Sequence, residues 1–328
     1  MSEDRNIKVG FIGLGVMGAA MAANLQKKGF LLVVNDARRE ACASHEKAGA
    51  IWADTAREVA EKSDVVFTCL PTVAIIEQVA LGPNGLIEGI KPGQAYFEMS
   101  TNSLDLIKKL HAAFAERGAH MLESPISGGG GGAKRGRLAI WVGGDKDSYQ
   151  RYEHVLRAIG DKPSYIGPIG SGLVTKLVHN CASQTMQAAL AEVFSFGVKA
   201  GAEPLALWKA IRQGSIGRRR SFDGLATHFL TGEYDDKPEA ALRIVYKDIY
   251  LATGLAREVG APLRIANLAF ADLQEAMLRG WSERDARSVM LLPQERVGVN
   301  IKVDRADIDE VLRQEPAAPT DPRYGKDE

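Results

Sequence analysis

From Ile7 to about Gly144, short apolar runs alternate with helix-length amphipathic stretches, the pattern of βαβ units laid into a parallel sheet. Strands are predicted over 8–12, 31–35, 65–70, 95–99, 120–124 and 138–142. Helical stretches over 17–28, 37–48, 55–62, 74–79 and 102–117 separate them, and a helix at 145–159 with a strand at 163–166 completes this half. After Pro168 the strand pattern stops, and helical periodicity follows over 173–201, 205–213, 240–259 and 262–279. The expected fold is an α/β domain over 1–168 and an all-α domain over 169–303. The remaining 304–328 holds 12 charges and three prolines, which predicts a solvated or disordered tail.

Composition narrows the function classes. The chain has 328 residues, 45% apolar, with 41 Lys+Arg against 41 Asp+Glu. That is ample material for two cores, and zero net charge leaves no global field for nucleic acid or an anionic membrane. Cys42, Cys69 and Cys181 are widely spaced, odd in number and without a CxxC, so neither a disulfide framework nor a metal site is expected, and a reducing cytoplasm is the simplest compartment. Residues 9–26 are uncharged and follow Arg5 and Lys8, as in a secretory leader. Gly13, Gly15 and Gly18 inside that run argue instead for the start of a folded domain.

Those three glycines form GxGxxG, with Leu14, Val16 and Met17 between them, directly after a predicted strand and at the start of a helix. In this context the first glycine allows a tight turn, the second lets backbone approach a pyrophosphate, and the third lets helix and strand pack closely. The second strand ends at Asn35-Asp36, where a carboxylate can accept both ribose hydroxyls and repel a 2′-phosphate. The first domain therefore reads as a Rossmann-type dinucleotide-binding domain that takes NAD. Arg38 and Arg39 keep NADP open. Leu70-Pro71-Thr72 and Ser100-Thr101 end later strands at the carboxyl edge, where Thr101 suits either a nicotinamide ribose or a helix cap.

Ser124-Pro-Ile-Ser127-Gly128-Gly129 continues into Gly130, Gly131 and Gly132 between two predicted strands. Backbone N–H groups of such a loop, with the Ser127 hydroxyl, form a nest suited to a carboxylate. Between Lys162 and Glu192 lie 29 residues, of which only Lys176 is charged. A solvated helix would carry several charges, so the helix is expected to be mostly buried and Lys176 becomes a catalytic candidate whose pKa an apolar setting would lower. Asn180 and Gln184 follow on a polar stripe, with Val174, Leu177, Val178 and Cys181 as the apolar face. Lys247-Asp248, read alone, is a surface pair on a helix. Arg218, Arg219 and Arg220 are either a solvated basic turn or a clamp for a second anionic group on the substrate.

Together these residues resemble the β-hydroxyacid dehydrogenase family, the group of 3-hydroxyisobutyrate dehydrogenase and tartronate semialdehyde reductase. GFIGLGVMG (10–18), SPISGGGGGA (124–133), GSGLVTKLVHN (170–180) and YKDIYLA (246–252) match its motifs in order. The resemblance implies Lys176 as general acid/base and Asn180 as a substrate and lysine-positioning group. It further implies Ser127, Gly128 and Gly129 as carboxylate contacts, with Leu70, Pro71, Thr101 and Lys247 against the cofactor. The implied reaction is hydride exchange at the carbon β to a carboxylate, without metal, in a homodimer or homotetramer. Glu123 stands where the family usually has Asp, and His179 where it has the first of two Asn. An imine reductase would generally lack the lysine, and an inactive NAD-binding scaffold would have lost Ser127, Lys176 or Asn180.

Overall fold

The computed structural model describes residues 7–199, 201–214, 225–226, 228–234, 238–258, 260 and 263–314. The first element is β1 (Lys8–Ile12), followed by α1 (Val16–Lys27) and β2 (Leu31–Asn35). A 3₁₀ turn at Arg39–Cys42 leads into α2 (Ala43–Lys47), β3 (Ile51–Trp52), α3 (Ala56–Lys62) and β4 (Val65–Thr68). Then come α4 (Val73–Leu81), α5 (Leu86–Gly89), β5 (Ala95–Glu98), α6 (Leu104–Glu116) and β6 (His120–Glu123). The sheet is finished by β7 (Ile126–Ser127), α7 (Gly129–Arg135), β8 (Ala139–Gly143), α8 (Lys146–Ile159) and β9 (Lys162–Gly167).

Strand order is β3-β2-β1-β4-β5-β6-β8-β7, with β9 paired to β8. The six strands from β3 to β6 in that order are parallel, and apart from Leu31 and Ile51 toward the β3 edge their apolar side chains are largely buried on both faces, as helix-covered parallel strands require. Phe11, Phe67 and Phe97 stack across β1, β4 and β5 with centroids 6.4 and 5.0 Å apart, and Tyr152 of α8 meets Phe97 edge-on. Each such ring stabilises the fold by roughly 1.5–3 kcal/mol through burial. Thr55, Thr72, Ser103 and Asp145 cap α3, α4, α6 and α8, so helix starts sit where the strand ends deliver them. The all-parallel expectation fails at β8, which runs antiparallel to β6 and β7 before β9 resumes parallel to β8. The reversal comes from the short return through α7, too compact for a crossover to a parallel strand.

The helical part comprises α9 (Ser171–Lys199), α10 (Pro204–Gln213), α11 (Leu242–Glu258), α12 (Arg264–Leu278), a 3₁₀ turn at Ala286–Met290, α13 (Leu291–Val297) and α14 (Arg305–Gln314). Trp208, Phe194, Phe229, Leu242, Leu273 and Leu292 are buried here, with Phe194 edge-on to Phe229 at 5.6 Å. By compactness the chain divides between His179 and Asn180, inside α9. The predicted tail begins instead as α14, because Ile308 and Val311 lie three apart on one helix face and are both buried. Counting charges hid that apolar pair. Arg218, Arg219 and Arg220 lie outside the described residues. Among the described residues no helix is long and apolar enough to cross a membrane.

Candidate active site

At the end of β1 the three glycines meet three different constraints. Gly13 has φ +92°, donates to the Asn35 carbonyl at 3.0 Å, and a Cβ on it would come within 2.3 Å of the Cys69 carbonyl oxygen. A Cβ on Gly18 would lie 1.8 Å from the Gly13 carbonyl oxygen, so helix and turn are packed backbone to backbone. Gly15 faces open space, with nothing within 4 Å. It is the N-cap of α1, which has neither a side-chain cap nor an acidic residue in its first turn. Donors of that first turn therefore remain for an anion, and the cradle fits a pyrophosphate.

Asp36 accepts from Leu14 N–H at 2.6 Å and from Arg38 N–H at 2.8 Å, and its carboxylate is 3.5 Å from the Arg38 guanidinium. Asn35 uses its amide elsewhere, donating to the Ala53 carbonyl at 2.9 Å. Arg39 is also engaged: its fork grips Glu46 at 2.5 and 2.8 Å, and it lies 4.3 Å over the Trp52 ring. Farther along the edge, Leu70 N–H donates to Ser100 Oγ at 2.8 Å, and Ser100 N–H donates to Glu98 Oε1 at 2.9 Å. These bonds pin the turn that leads into Pro71. Ser103, not Thr101, caps α6, which removes the capping alternative for Thr101.

The glycine run after Ser127 forms a helix where a loop nest was expected. Gly128, with φ +137°, is the N-cap of α7, and Gly129 to Gly132 belong to its turns. Glycine's freedom allowed either outcome. The donors offered here are those of a helix start, which no intrahelical carbonyl satisfies.

Glu123, at the end of β6, is 1% exposed. Its Oε1 accepts from Gly170 N–H at 2.8 Å and Gly172 N–H at 2.9 Å, and its Oε2 accepts from Leu173 N–H. Burial pushes this carboxyl up to about 7 against the opposing pull of the three N–H bonds. A Cβ on Gly143 would stand 2.0 Å from Oε1, so glycine there makes room for the side chain. Glu123 thereby fastens the strand that leads into the Ser127 loop to the first turn of α9.

Lys176 is half-buried on α9, and Asn180 is one turn beyond it. The expected apolar face is only partly sealed. Leu177 and Cys181 are buried, but Val174 and Val178 are exposed, Val178 by 63%. Among the described residues, charge depletion along α9 therefore does not coincide with burial at Val174 and Val178. The Lys247-Asp248 pair also departs from expectation. Asp248 is buried, accepts from Asn180 Nδ2 at 2.6 Å, and lies 3.3 Å from Lys247 Nζ.

Residues 8–167 match the NAD binding domain of 6-phosphogluconate dehydrogenase, and residues 170–292 match the family described as NAD-binding of NADP-dependent 3-hydroxyisobutyrate dehydrogenase. The chain is similar to 2-(hydroxymethyl)glutarate dehydrogenase of Eubacterium barkeri, 31% identical over 91% of this chain and 98% of that protein. It is 33% identical to the NAD-dependent L-serine dehydrogenase of Pseudomonas aeruginosa, over 87% of this chain and 97% of the relative. The chain belongs to the β-hydroxyacid dehydrogenase family. Among solved structures, 3-hydroxyisobutyrate dehydrogenase of Mycobacterium tuberculosis with L-serine superimposes with a TM-score of 0.78 at 25% identity, covering 88% of this chain and 99% of that one. Imine reductases from Pseudomonas sp. and Bacillus cereus, at 19% and 17% identity, share the fold alone.

As a β-hydroxyacid dehydrogenase, the protein is an oxidoreductase acting on CH–OH groups with NAD or NADP as cofactor. Within it, motif reading singled out Lys176 and Asn180 but passed over the carboxyl groups that hold their helix and side chain. Glu123 was visible only as a departure from the family's Asp. Asp248 stood inside YKDIYLA, 68 residues from its partner Asn180, with no local signal of burial.

Proposed function

We propose that this β-hydroxyacid dehydrogenase interconverts a small 3-hydroxy carboxylate and the corresponding carbonyl compound, with Lys176 as general acid/base. The observation that carries the reading is the Glu123 tie: one buried carboxyl joins the end of β6, where the substrate loop starts, to the helix that bears Lys176. When bound, the nicotinamide accepts or supplies the hydride at the carbinol carbon. Gly13, Leu14, Gly15, Val16, Met17 and Gly18 hold its pyrophosphate, Asn35 and Asp36 border the ribose, and Leu70, Pro71, Thr101 and Lys247 complete the contacts by resemblance. Ser127 with the backbone of Gly128 and Gly129 takes the substrate carboxylate. Lys176 Nζ receives the hydroxyl proton on oxidation and returns it on reduction, while Asn180 positions both.

NAD is the preferred cofactor in this reading. Asp36 stands at the ribose position, and Arg39 is occupied by Glu46 and Trp52. A substrate with a second acidic group is favoured by the run Arg218 to Arg220 and by the dicarboxylate named for the Eubacterium barkeri relative. A homodimer or homotetramer is supported by large apolar side chains left exposed at Val178, Met186, Leu268 and Leu278. Light scattering after gel filtration tests the assembly, where a monomer would refute it. Activity is tested by a screen of three- to six-carbon 3-hydroxy acids, mono- and dianionic, with NAD and NADP side by side. Turnover on at least one acid, greater with NAD than with NADP, is expected. Equal rates on the matching diols, which lack the carboxylate, would overturn the substrate class.

A further inference from the structure

A serine hydroxyl carries one proton and can give it in only one direction. Ser127, the side chain of the substrate loop, lies with its Oγ 3.4 Å from Nε2 of His179 on α9. The His179 ring rests against the indole of Trp141, with centroids 5.1 Å apart and planes at 51°. Trp141 belongs to β8, the strand whose Ala139 is in antiparallel register with Ser127. One strand thus backs both members of the pair. His179 is three residues after Lys176, so it neighbours the lysine on the same helix surface.

Two proton arrangements satisfy this contact. If Ser127 gave its proton to the imidazole, the hydroxyl would have nothing left for an anion. If Nε2–H gives to Oγ, a serine lone pair is occupied and the hydroxyl proton is directed away from the ring, toward the loop. A carboxylate can accept only in the second arrangement. We propose that His179 is a specificity-determining residue, donating from Nε2–H to Ser127 Oγ and so committing the Ser127 hydroxyl proton to the substrate carboxylate. This rests on the assignment of the substrate loop to the carboxylate. His179 takes no part in the proton transfer at the carbinol and acts through Ser127 as a positioning residue.

The test uses full-length enzyme with NAD, 3-hydroxypropionate as the carboxylate probe and 1,3-propanediol as its neutral counterpart. His179→Phe keeps a ring against Trp141 and removes the donor. It is expected to raise KM for 3-hydroxypropionate about 5–10-fold, with kcat within about twofold and no change toward the diol, the loss due to one hydrogen bond. His179→Gln, which keeps an N–H at similar reach, restores the KM. Calorimetric titration of NADH-loaded enzyme with 3-hydroxypropionate reads the same loss without turnover. Ser127→Ala combined with His179→Phe should be no worse than Ser127→Ala alone, since the histidine works through the serine. A silent His179→Phe, failure of the Gln rescue, or multiplying effects in the double variant would overturn the proposal. If Ser127→Ala itself leaves KM unchanged, the substrate-loop reading falls instead, which separates the two failures.

Discussion

Two carboxylates fasten the leading turns of two helices to the ends of two strands, and they are built differently. Asp36 holds Leu14 N–H before α1 and sits at the rim of the sheet beside Arg38. Glu123 holds three N–H groups at the start of α9 and is sealed, with glycine at 143 and 172 pressed against it. A rim carboxylate can lend a lone pair to a ligand without breaking its own bonds. A sealed one has no such freedom and serves only to hold backbone in place. Variants at the sealed end are therefore expected to act on chemistry and folding, and variants at the rim on cofactor choice.

The largest effect should come from the helix that the sealed end supports. Lys176→Ala is expected to lower kcat by roughly 10²- to 10⁴-fold, with NADH affinity by fluorescence titration nearly intact. Substantial remaining turnover would remove the lysine from the chemistry. Next in size is the pH response of Glu123. Its folded-state value of about 7 lies above that of an unfolded glutamate, so the folded chain binds the extra proton. That stability is fully present below about pH 4.3 and is lost as pH rises through about 7. Urea unfolding should show the wild type losing up to about 3 kcal/mol relative to Glu123→Gln between pH 4.5 and 8. Wild-type stability that instead rises relative to Glu123→Gln over this range would reverse the sign and break the contrast.

Smaller effects sharpen the rim. Gly18→Ala should destabilise by about 1–3 kcal/mol, since its methyl would meet a backbone carbonyl that cannot move aside. Asp36→Ala should weaken discrimination for NAD over NADP by roughly 1–3 kcal/mol in kcat/KM, and an unaltered ratio would shift selectivity elsewhere. Gly15→Ala, with open space around the added methyl, should leave Tm unchanged while lowering NADH affinity about tenfold. Equal thermal losses at Gly15 and Gly18 would contradict the different duties assigned to them.

What could be read beforehand follows from how local each requirement is. β1 and β2 were legible to the residue because both faces are buried and their apolar runs are unbroken. In GxGxxG, Gly13 and Gly18 were legible because each answers a close backbone approach at its own position. The two-residue strands β3 and β7 are too short for any period, and the reversal at β8 depends on pairing that no single stretch encodes. Glycine at 129–132 permits a nest and a helix alike, so only the surroundings could choose. Glu123 and Asp248 carry the same letters as surface acids, and only their distant partners, Gly170 to Leu173 and Asn180, reveal that both are buried anchors.

The pairing of Arg38 with Asp36 has an evolutionary consequence. The carboxylate that would turn away a 2′-phosphate is also the group that holds the nearest guanidinium, so replacing one side chain removes the repulsion and releases a cation together. No second mutation has to wait for the first to prove useful. If Asp36 selects NAD as proposed, a lineage with this arrangement stands a single step from accepting the other nicotinamide cofactor.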